Sequence, residues 1–307
     1  MPKSLMTISG ASPDTARSFI AAIDLEGAAP PALETAALPA PVPLRAPFGA
    51  LFGLGTAPTP SLEEVQAGTS IAKPASGNGD PIALGIQTGQ DQTFMVGSQL
   101  LSFNKEVTDE RRAAALNSCL LAQLRASKLY PNPSTLQDAQ NWHASYINTL
   151  INVGWALVSG TTATETTGTQ GASVDKVLLD VVGALLGGGA AIALATKVIQ
   201  AIANASKDDP FITLYQSRVV EQNVVEFGAG LASADSRGFL LSIIECGIEV
   251  RSVEHQLLFF KWNADSARAD GRRFDLSVSD DVYAAVKGQI EAKILPFVKD
   301  HIAALDI

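Results

Sequence analysis

The chain has 307 residues, of which 47% are hydrophobic and 17% charged, and 22 Lys and Arg against 31 Asp and Glu give a net charge of −9. A chain of this length buries roughly three quarters of the surface that it exposes when unfolded, which allows one large domain or two smaller ones. The acidic balance disfavours nucleic acid as a partner, because phosphate backbones are also negative. With only two cysteines, a disulfide scaffold and a cysteine-based zinc site are excluded.

The N-terminus lacks the long apolar stretch of a signal peptide. The longest uncharged apolar run, 181–196, is shorter than the ~20 residues that a membrane-spanning helix needs. We therefore expect a soluble protein that is secreted or released without a conventional signal peptide.

Composition changes near residue 90. Twelve of the 16 prolines lie before residue 82, and the stretch 28–47 is rich in Ala and Pro, which favours extended and solvated chain. One short helix is predicted at 12–23. We interpret 1–90 as an N-terminal extension that could serve as a removable pro-segment, and 91–307 as a single folded domain.

Two pairs of helices are predicted in the domain. The first helix, 108–129, begins at an N-cap threonine followed by two acidic residues, and the second, 134–151, begins at a capping box. A third helix runs from 173 to the triple glycine at 187–189, and a fourth covers 190–205. Each pair reads as a helical hairpin.

The remaining segments are rich in β-branched and aliphatic residues and are separated by polar loops, which is typical of strands. Strands are predicted at 92–103, 153–166, 211–220, 222–233, 238–251, 255–263 and 272–278. Polar loops are expected at 234–237 and 265–271, and a last helix runs from the Ser279 cap towards Ala304. Consecutive strands with short loops favour antiparallel pairing, and helices grouped before and after them favour layers that cover a sheet.

Catalytic signatures are absent from the sequence: it has no P-loop, no dinucleotide-binding glycine motif, no serine-hydrolase elbow and no metal-ligand spacing. His143 is expected at a helix surface or core edge, His255 in a structural position, and Cys119 as a small buried hydrophobe. Cys246 is read as structural, with lipid attachment as the alternative. We expect no enzymatic activity, no metal and no cofactor.

Two kinds of amphipathic element could meet a membrane: the hairpin 173–205 and the long strands between 222 and 278. A strand needs only ~9–11 residues to span a bilayer. The alternative is that strands covered by helices on both faces are simply apolar on both. The candidate membrane-interacting residues are Val177, Val181, Leu185, Ile192, Ile199, Val224, Phe227, Leu241, Ile243, Leu257 and Phe259.

Three segments carry a family resemblance: VDKVLLDVVG at 174–183, GFLLSIIECGIEVRS at 238–252 and VEHQLLFF at 253–260. In order and pattern they resemble the Cyt-type δ-endotoxins, which carry a near-identical Val-x-x-Gln-aliphatic-Leu-Phe-Phe motif. The resemblance covers roughly residues 91–280, with gaps. This chain departs from the family in its longer, Pro-rich extension, its extra glycines at 173–205 and its charged C-terminal segment.

The resemblance implies an α/β fold: a single three-layer domain in which two α-helical hairpins cover a largely antiparallel β-sheet. It implies a protoxin whose termini are trimmed by proteolysis and which binds membrane phospholipids at the target cell. It also implies self-association, as a dimeric protoxin or as an oligomer on the membrane, and permeabilisation without any catalytic residue. The alternative is a lipid-binding virulence or host-interaction protein on the same fold that forms no pores.

Overall fold

The computed structural model describes residues 8–26, 71–72, 86–97, 99–131, 136–167, 172–173, 185, 224–235, 238–253, 263–298 and 302–305. Within these ranges the helices are α1 Pro13–Ala22, α2 Asp109–Leu129, α3 Leu136–Asn152 and α4 Asp280–Ile294. The strands are β1 Ile71–Ala72, β2 Gln92–Val96, β3 Gln99–Phe103, β4 Ala156–Thr167, β5 Ala172–Ser173, β6 Val224–Asp235, β7 Gly238–Val253, β8 Asn263–Ser277 and β9 Ile302–Leu305.

These elements form an α/β fold around one mixed sheet. Its strand order is β1-β9-β2-β3-β6-β7-β8-β4, and β5 also pairs with β8. The β3–β6 pair is parallel, and the other pairs are antiparallel. The strand predicted at 211–220 and the helix predicted at 190–205 lie outside the described residues, as does the helix predicted after 173 except for Leu185.

Side-chain caps start three of the helices, as the sequence predicts. The hydroxyls of Ser12, Thr108 and Ser279 each accept a hydrogen bond from the backbone N–H three residues later, which satisfies one of the free donors at a helix start. The helices predicted at 12–23 and 108–129 are therefore confirmed. The helix predicted at 134–151 corresponds to α3, whose described part is Leu136–Asn152.

The end of the last helix was predicted wrongly. The helix α4 stops at Ile294 instead of continuing towards Ala304. Pro296 follows two residues later and cannot occupy a helix interior, because it lacks an N–H and clashes with the preceding turn. The chain then forms β9, which pairs with β2 on one side and β1 on the other.

The predicted single strand at 92–103 is a hairpin. β2 pairs with β3 in the register Val96 to Gln99, and the turn between them begins at Gly97, whose φ of 54° lies in the left-handed region that favours glycine. The loop predicted at 234–237 is also shorter than expected, since β6 reaches Asp235 and pairs there with Gly238.

The loop predicted at 265–271 is wrong, because those residues lie inside the continuous strand β8. The run Ala267 to Arg272 alternates small and charged residues, a period of two that suits a strand with two different faces. β8 pairs with β7 along 241–253, and β6 occupies the other edge of β7. The strand predicted at 255–263 lies outside the described residues except for Asn263, which begins β8.

The core joins one face of the sheet to the helices. Its apolar side chains include Trp142, Tyr146 and Leu150 of α3 and Leu116, Leu120 and Leu124 of α2, all of which are buried. The two helices pack against each other, and Arg125 of α2 donates a hydrogen bond to the Thr149 hydroxyl of α3 at 3.1 Å.

Part of the predicted N-terminal extension contributes to this core. Ala16 and Ile20 of α1 have no exposed surface, and α1 packs on α4, where the Lys293 ammonium donates to the Ile23 carbonyl at 2.6 Å. Ile8 forms a β-bridge with Leu157. Residues 8–26 are thus packed with the body of the fold, although the sequence analysis assigns them to the extension.

Candidate functional site

Leu241 and Ile243, two of the predicted membrane-interacting residues, lie on β7 with no exposed surface. They are opposite Leu276 and Phe274 of β8 in register, and all four side chains belong to the core cluster beneath the helices. A residue in this position stabilises the described fold by removing apolar surface from water. Any contact with a bilayer would require the helices to leave this face.

Three more of the predicted positions are described, and two of them lie on the sheet. Phe227 of β6 is directly opposite Cys246 of β7, and Val224 is opposite Glu249. Leu185 is 4% exposed, and its backbone carbonyl accepts a hydrogen bond from Arg273. Six of the predicted residues lie outside the described ranges: Val177, Val181, Ile192, Ile199, Leu257 and Phe259.

The strands β6 and β7, which hold these positions, belong to a continuous antiparallel run, β6-β7-β8-β4. The four strands have 12, 16, 15 and 12 residues, each longer than the ~9–11 residues that span a bilayer as a tilted strand. β4 lies at the end of the strand order.

A buried polar cluster lies between this sheet and the helices. It consists of Gln99, Cys119, His143, Tyr146 and Glu245, each no more than 3% exposed. The His143 Nδ1 atom lies 3.2 Å from Glu245 Oε2, and Gln99 Nε2 donates to Glu245 Oε1 at 3.5 Å. The Tyr146 hydroxyl donates to Gln99 Oε1. Buried ionisable groups are costly unless they are paired and hydrogen-bonded, so these contacts have to be maintained together.

Burial controls the chemistry of this cluster. It raises the pKa of the Cys119 thiol to about 12, so the residue is a packed, protonated thiol and not a nucleophile. It raises the pKa of the Tyr146 hydroxyl well above its usual value. The prediction that Cys119 is a small buried hydrophobe is confirmed.

The backbone of β6 makes room for the cluster. A Cβ atom on Gly228 would lie 2.5 Å from Gln99 Cγ and 2.9 Å from Gln99 Nε2. Gly228 is directly opposite Gln99 on β3 and Glu245 on β7 in register. The missing side chain therefore lets Gln99 lean across the sheet to reach both Glu245 and Tyr146.

A second polar network lies around Asp275 of β8. Its carboxylate accepts hydrogen bonds from Ser242 at 2.6 Å, from Arg273 Nε at 2.9 Å and from the Ser159 hydroxyl. Arg273 also donates to the Leu185 carbonyl at 3.2 Å. Ser242 lies between Leu241 and Ile243 on β7 and is opposite Asp275 on β8 in register. Since successive side chains of a strand point to opposite faces, this network lies on the sheet face opposite α3.

Sequence reasoning missed the partnership between His143 and Glu245. It expected His143 at a helix surface or core edge, and the structure buries it against the sheet. The available signal was Glu245 itself, a carboxylate inside the apolar run Ile243–Ile248, which needs a partner if the strand is buried.

Within the described ranges, no group of three or more His, Cys, Asp and Glu residues could hold a metal ion. In the same ranges, none of the helices combines the length and the apolar character required to cross a bilayer. The chain matches no model of a known protein family and no curated protein.

Proposed function

We propose that this chain is a cytolytic protoxin that binds membrane phospholipid and permeabilises the bilayer after proteolytic trimming. The observation that carries the proposal is the run of four adjacent antiparallel strands, β6-β7-β8-β4, each of at least 12 residues. Such strands are long enough to span a bilayer once the helices move away. The resemblance of 174–183 and 238–260 to the Cyt-type toxins points to the same activity.

The proposal includes a three-layer arrangement in which a helical hairpin covers each sheet face. Packing of α3 on β6 and β7, and of α2 on β2 and α3, supports the first layer. The hydrogen bond from Arg273 to the Leu185 carbonyl supports a second layer on the opposite face, since Leu185 is the described part of the segment 173–205. The division into an extension at 1–90 and a toxin domain at 91–307 belongs to the same proposal, as does self-association before or on the membrane.

The alternative is a lipid-binding virulence or host-interaction protein on this fold that forms no pores. The deep burial of Leu241 and Ile243 favours it, because their release requires loss of core packing. The two functions differ in what happens to vesicle contents. The first predicts leakage after binding, and the second predicts binding with the contents retained.

Dye release from phosphatidylcholine–phosphatidylethanolamine vesicles tests the proposal, with co-flotation on the same vesicles as the measure of binding. We expect the protease-treated protein to bind and to release dye, and the intact protein to release it more slowly. Binding without release would support the alternative. If the protein neither binds the vesicles nor releases the dye, both functions are refuted.

Charged variants test whether the strands enter the bilayer. Leu231 on β6 is partly exposed, so Leu231→Lys should fold, while a lipid-facing Lys near the bilayer midplane costs about 2–4 kcal/mol. Leu129→Lys at the end of α2 is the control, because Leu129 is exposed and lies outside the four strands.

Leu241→Lys tests the other face of the sheet. Leu241 is fully buried, so this variant enters the comparison only with a native circular dichroism spectrum and a cooperative melt. Of Leu231→Lys and Leu241→Lys, we expect the one whose sheet face meets lipid to release no dye, while its vesicle binding stays near that of the wild type. Release at the wild-type rate from folded variants on both faces would mean that these strands stay out of the bilayer.

A further inference from the structure

The contact between His143 and Glu245 joins a helix to the sheet. His143 lies on α3 and Glu245 on β7, their side chains are 4% and 0% exposed, and the atoms in contact are 3.2 Å apart. α3 packs on both β6 and β7, so the pair lies inside that interface. An ionisable pair in such a place makes the attachment of the helix depend on protons.

Each element packed around Glu245 contributes an identifiable neighbour. Arg272 of β8 is opposite Glu245 in register and partly exposed, Gln99 of β3 donates to it, and Gly228 of β6 lies opposite it on the other side. The helices contribute Cys119 and Tyr146, both fully buried and both weak acids that stay protonated. His143 is thus the titratable base that faces the carboxylate.

The charge balance of the pair depends on one proton. With that proton, the pair is an imidazolium–carboxylate contact or a neutral acid–imidazole hydrogen bond, and either form has no net charge. Without it, a carboxylate is buried beneath α3, and among the described residues its polar neighbours are the Gln99 amide and the partly exposed guanidinium of Arg272. A buried carboxylate with incomplete pairing is strongly disfavoured, and separation of the helix from the strand lets water solvate it.

We propose that the His143–Glu245 pair is a proton-dependent latch between α3 and β7. While the pair holds its proton, α3 stays on the sheet. Loss of that proton to solvent as the pH rises favours lifting of α3 from β7 and exposes the face that carries Leu241 and Ile243. The latch is a property of the folded chain alone and does not depend on the proposed membrane activity.

The direction of the pH dependence follows from burial. Burial raises the pKa of the Glu245 carboxyl above its ordinary value of 4.5, and His143, Arg272 and Gln99 oppose that rise. A buried pair resists net charge, so the folded state keeps the shared proton above about pH 6.5, where a free imidazole loses it in the unfolded chain. The stability that this proton contributes is fully present below that pH and is lost as the pH rises through the raised pKa of the pair.

Hydrogen exchange of the full chain between about pH 5 and pH 9 tests the latch, with rates corrected for intrinsic exchange. The reporters are the amides of Tyr146, Ile147 and Leu150 in α3. The internal reference is α4, which packs on α1 and α2. We expect the opening constant of α3 to rise relative to α4 by up to about tenfold per pH unit while one proton is released on opening.

Two variants separate titration from packing. Glu245→Gln keeps the shape but cannot ionise, so the rise of α3 opening relative to α4 with increasing pH should disappear. Ile243→Val removes a methylene from the same strand and face, and should raise α3 opening by the same factor at every pH.

A wild-type ratio that does not change with pH would overturn the latch, as would an unchanged pH dependence in folded Glu245→Gln. If that variant does not fold, the comparison of α3 with α4 in the wild-type chain still decides. Vesicles are absent from the experiment, so its failure is distinct from a failure of dye release.

Discussion

Gly228→Ala should destabilise the fold through a single side chain. The new Cβ would lie 2.5 Å from Gln99 Cγ and 2.9 Å from Gln99 Cδ, which real Cβ contacts do not tolerate. The backbone of β6 is regular at this position, paired with Gln99 on one side and Glu245 on the other, so the effect is steric. Gln99 has to move, although it is 1% exposed and hydrogen-bonded to both Glu245 and Tyr146.

The magnitude follows from what Gln99 loses. Overpacking in a filled core costs about 1–3 kcal/mol. A buried polar group left without its partner costs about 1–3 kcal/mol, and displacement of Gln99 weakens contacts to two such groups, Glu245 and Tyr146. Since Gln99 can relax part of the clash by rotating, we expect a total loss of about 2–4 kcal/mol in the free energy of unfolding.

Urea unfolding of four chains measures this loss: wild type, Gly228→Ala, Gln99→Ala and the double variant. Gln99→Ala removes the atoms that clash, so Gly228→Ala should cost less than about 0.5 kcal/mol in that background. Gly288→Ala is the control. It lies on α4 with open space around it, and the replacement should add roughly 0.5–1 kcal/mol of stability. An equal cost of Gly228→Ala with and without the Gln99 side chain would refute the steric explanation.

Two further predictions concern other parts of the fold. Arg112 is fully buried and donates to the carbonyls of Val107, Gln90 and Asn104, so Arg112→Met should lower the free energy of unfolding by at least about 3 kcal/mol. The control Arg17→Met, at an exposed side chain, should change it by less than about 0.5 kcal/mol. A cost near 1 kcal/mol for Arg112→Met would contradict this role. After native trypsin cleavage near Lys73, the peptide that contains 8–26 should stay bound to the body in size-exclusion chromatography, because Ala16 and Ile20 are buried. The variant Ile20→Asp should release it. Release from the wild-type chain would mean that the whole of 1–90 behaves as a removable segment.

The helices could be predicted because their signals are local. Thr108 and Ser279 cap the residues that follow them, and the stripe Leu116, Leu120, Leu124 repeats within one element. The end of α4 was missed although Pro296 marks it, because the charged residues beyond it were read as a continuing helix surface.

The strands were harder to predict because their partners are distant in sequence. β9 is a strand through its pairing with β2 and β1, some 200 residues earlier in the chain, which no local pattern encodes. The polar run 265–271 was read as a loop because its composition outweighed its alternation. The His143–Glu245 contact has the same origin, since a helix and a strand from separate parts of the chain create it.

The helix–sheet interface has two requirements if the proposed function holds. Leu241 and Ile243 have to be packed tightly enough to stabilise the folded chain, yet that face must be released at a membrane. An entirely apolar interface would satisfy the first requirement and resist the second, because hydrophobic burial responds weakly to pH. A buried ionisable pair contributes less stability than apolar residues of the same size, but its contribution depends on a proton. Because the pair lies beside the apolar core, the strength of the α3–β7 contact can change with pH, while the apolar contribution of Leu241 and Ile243 to the closed state stays the same.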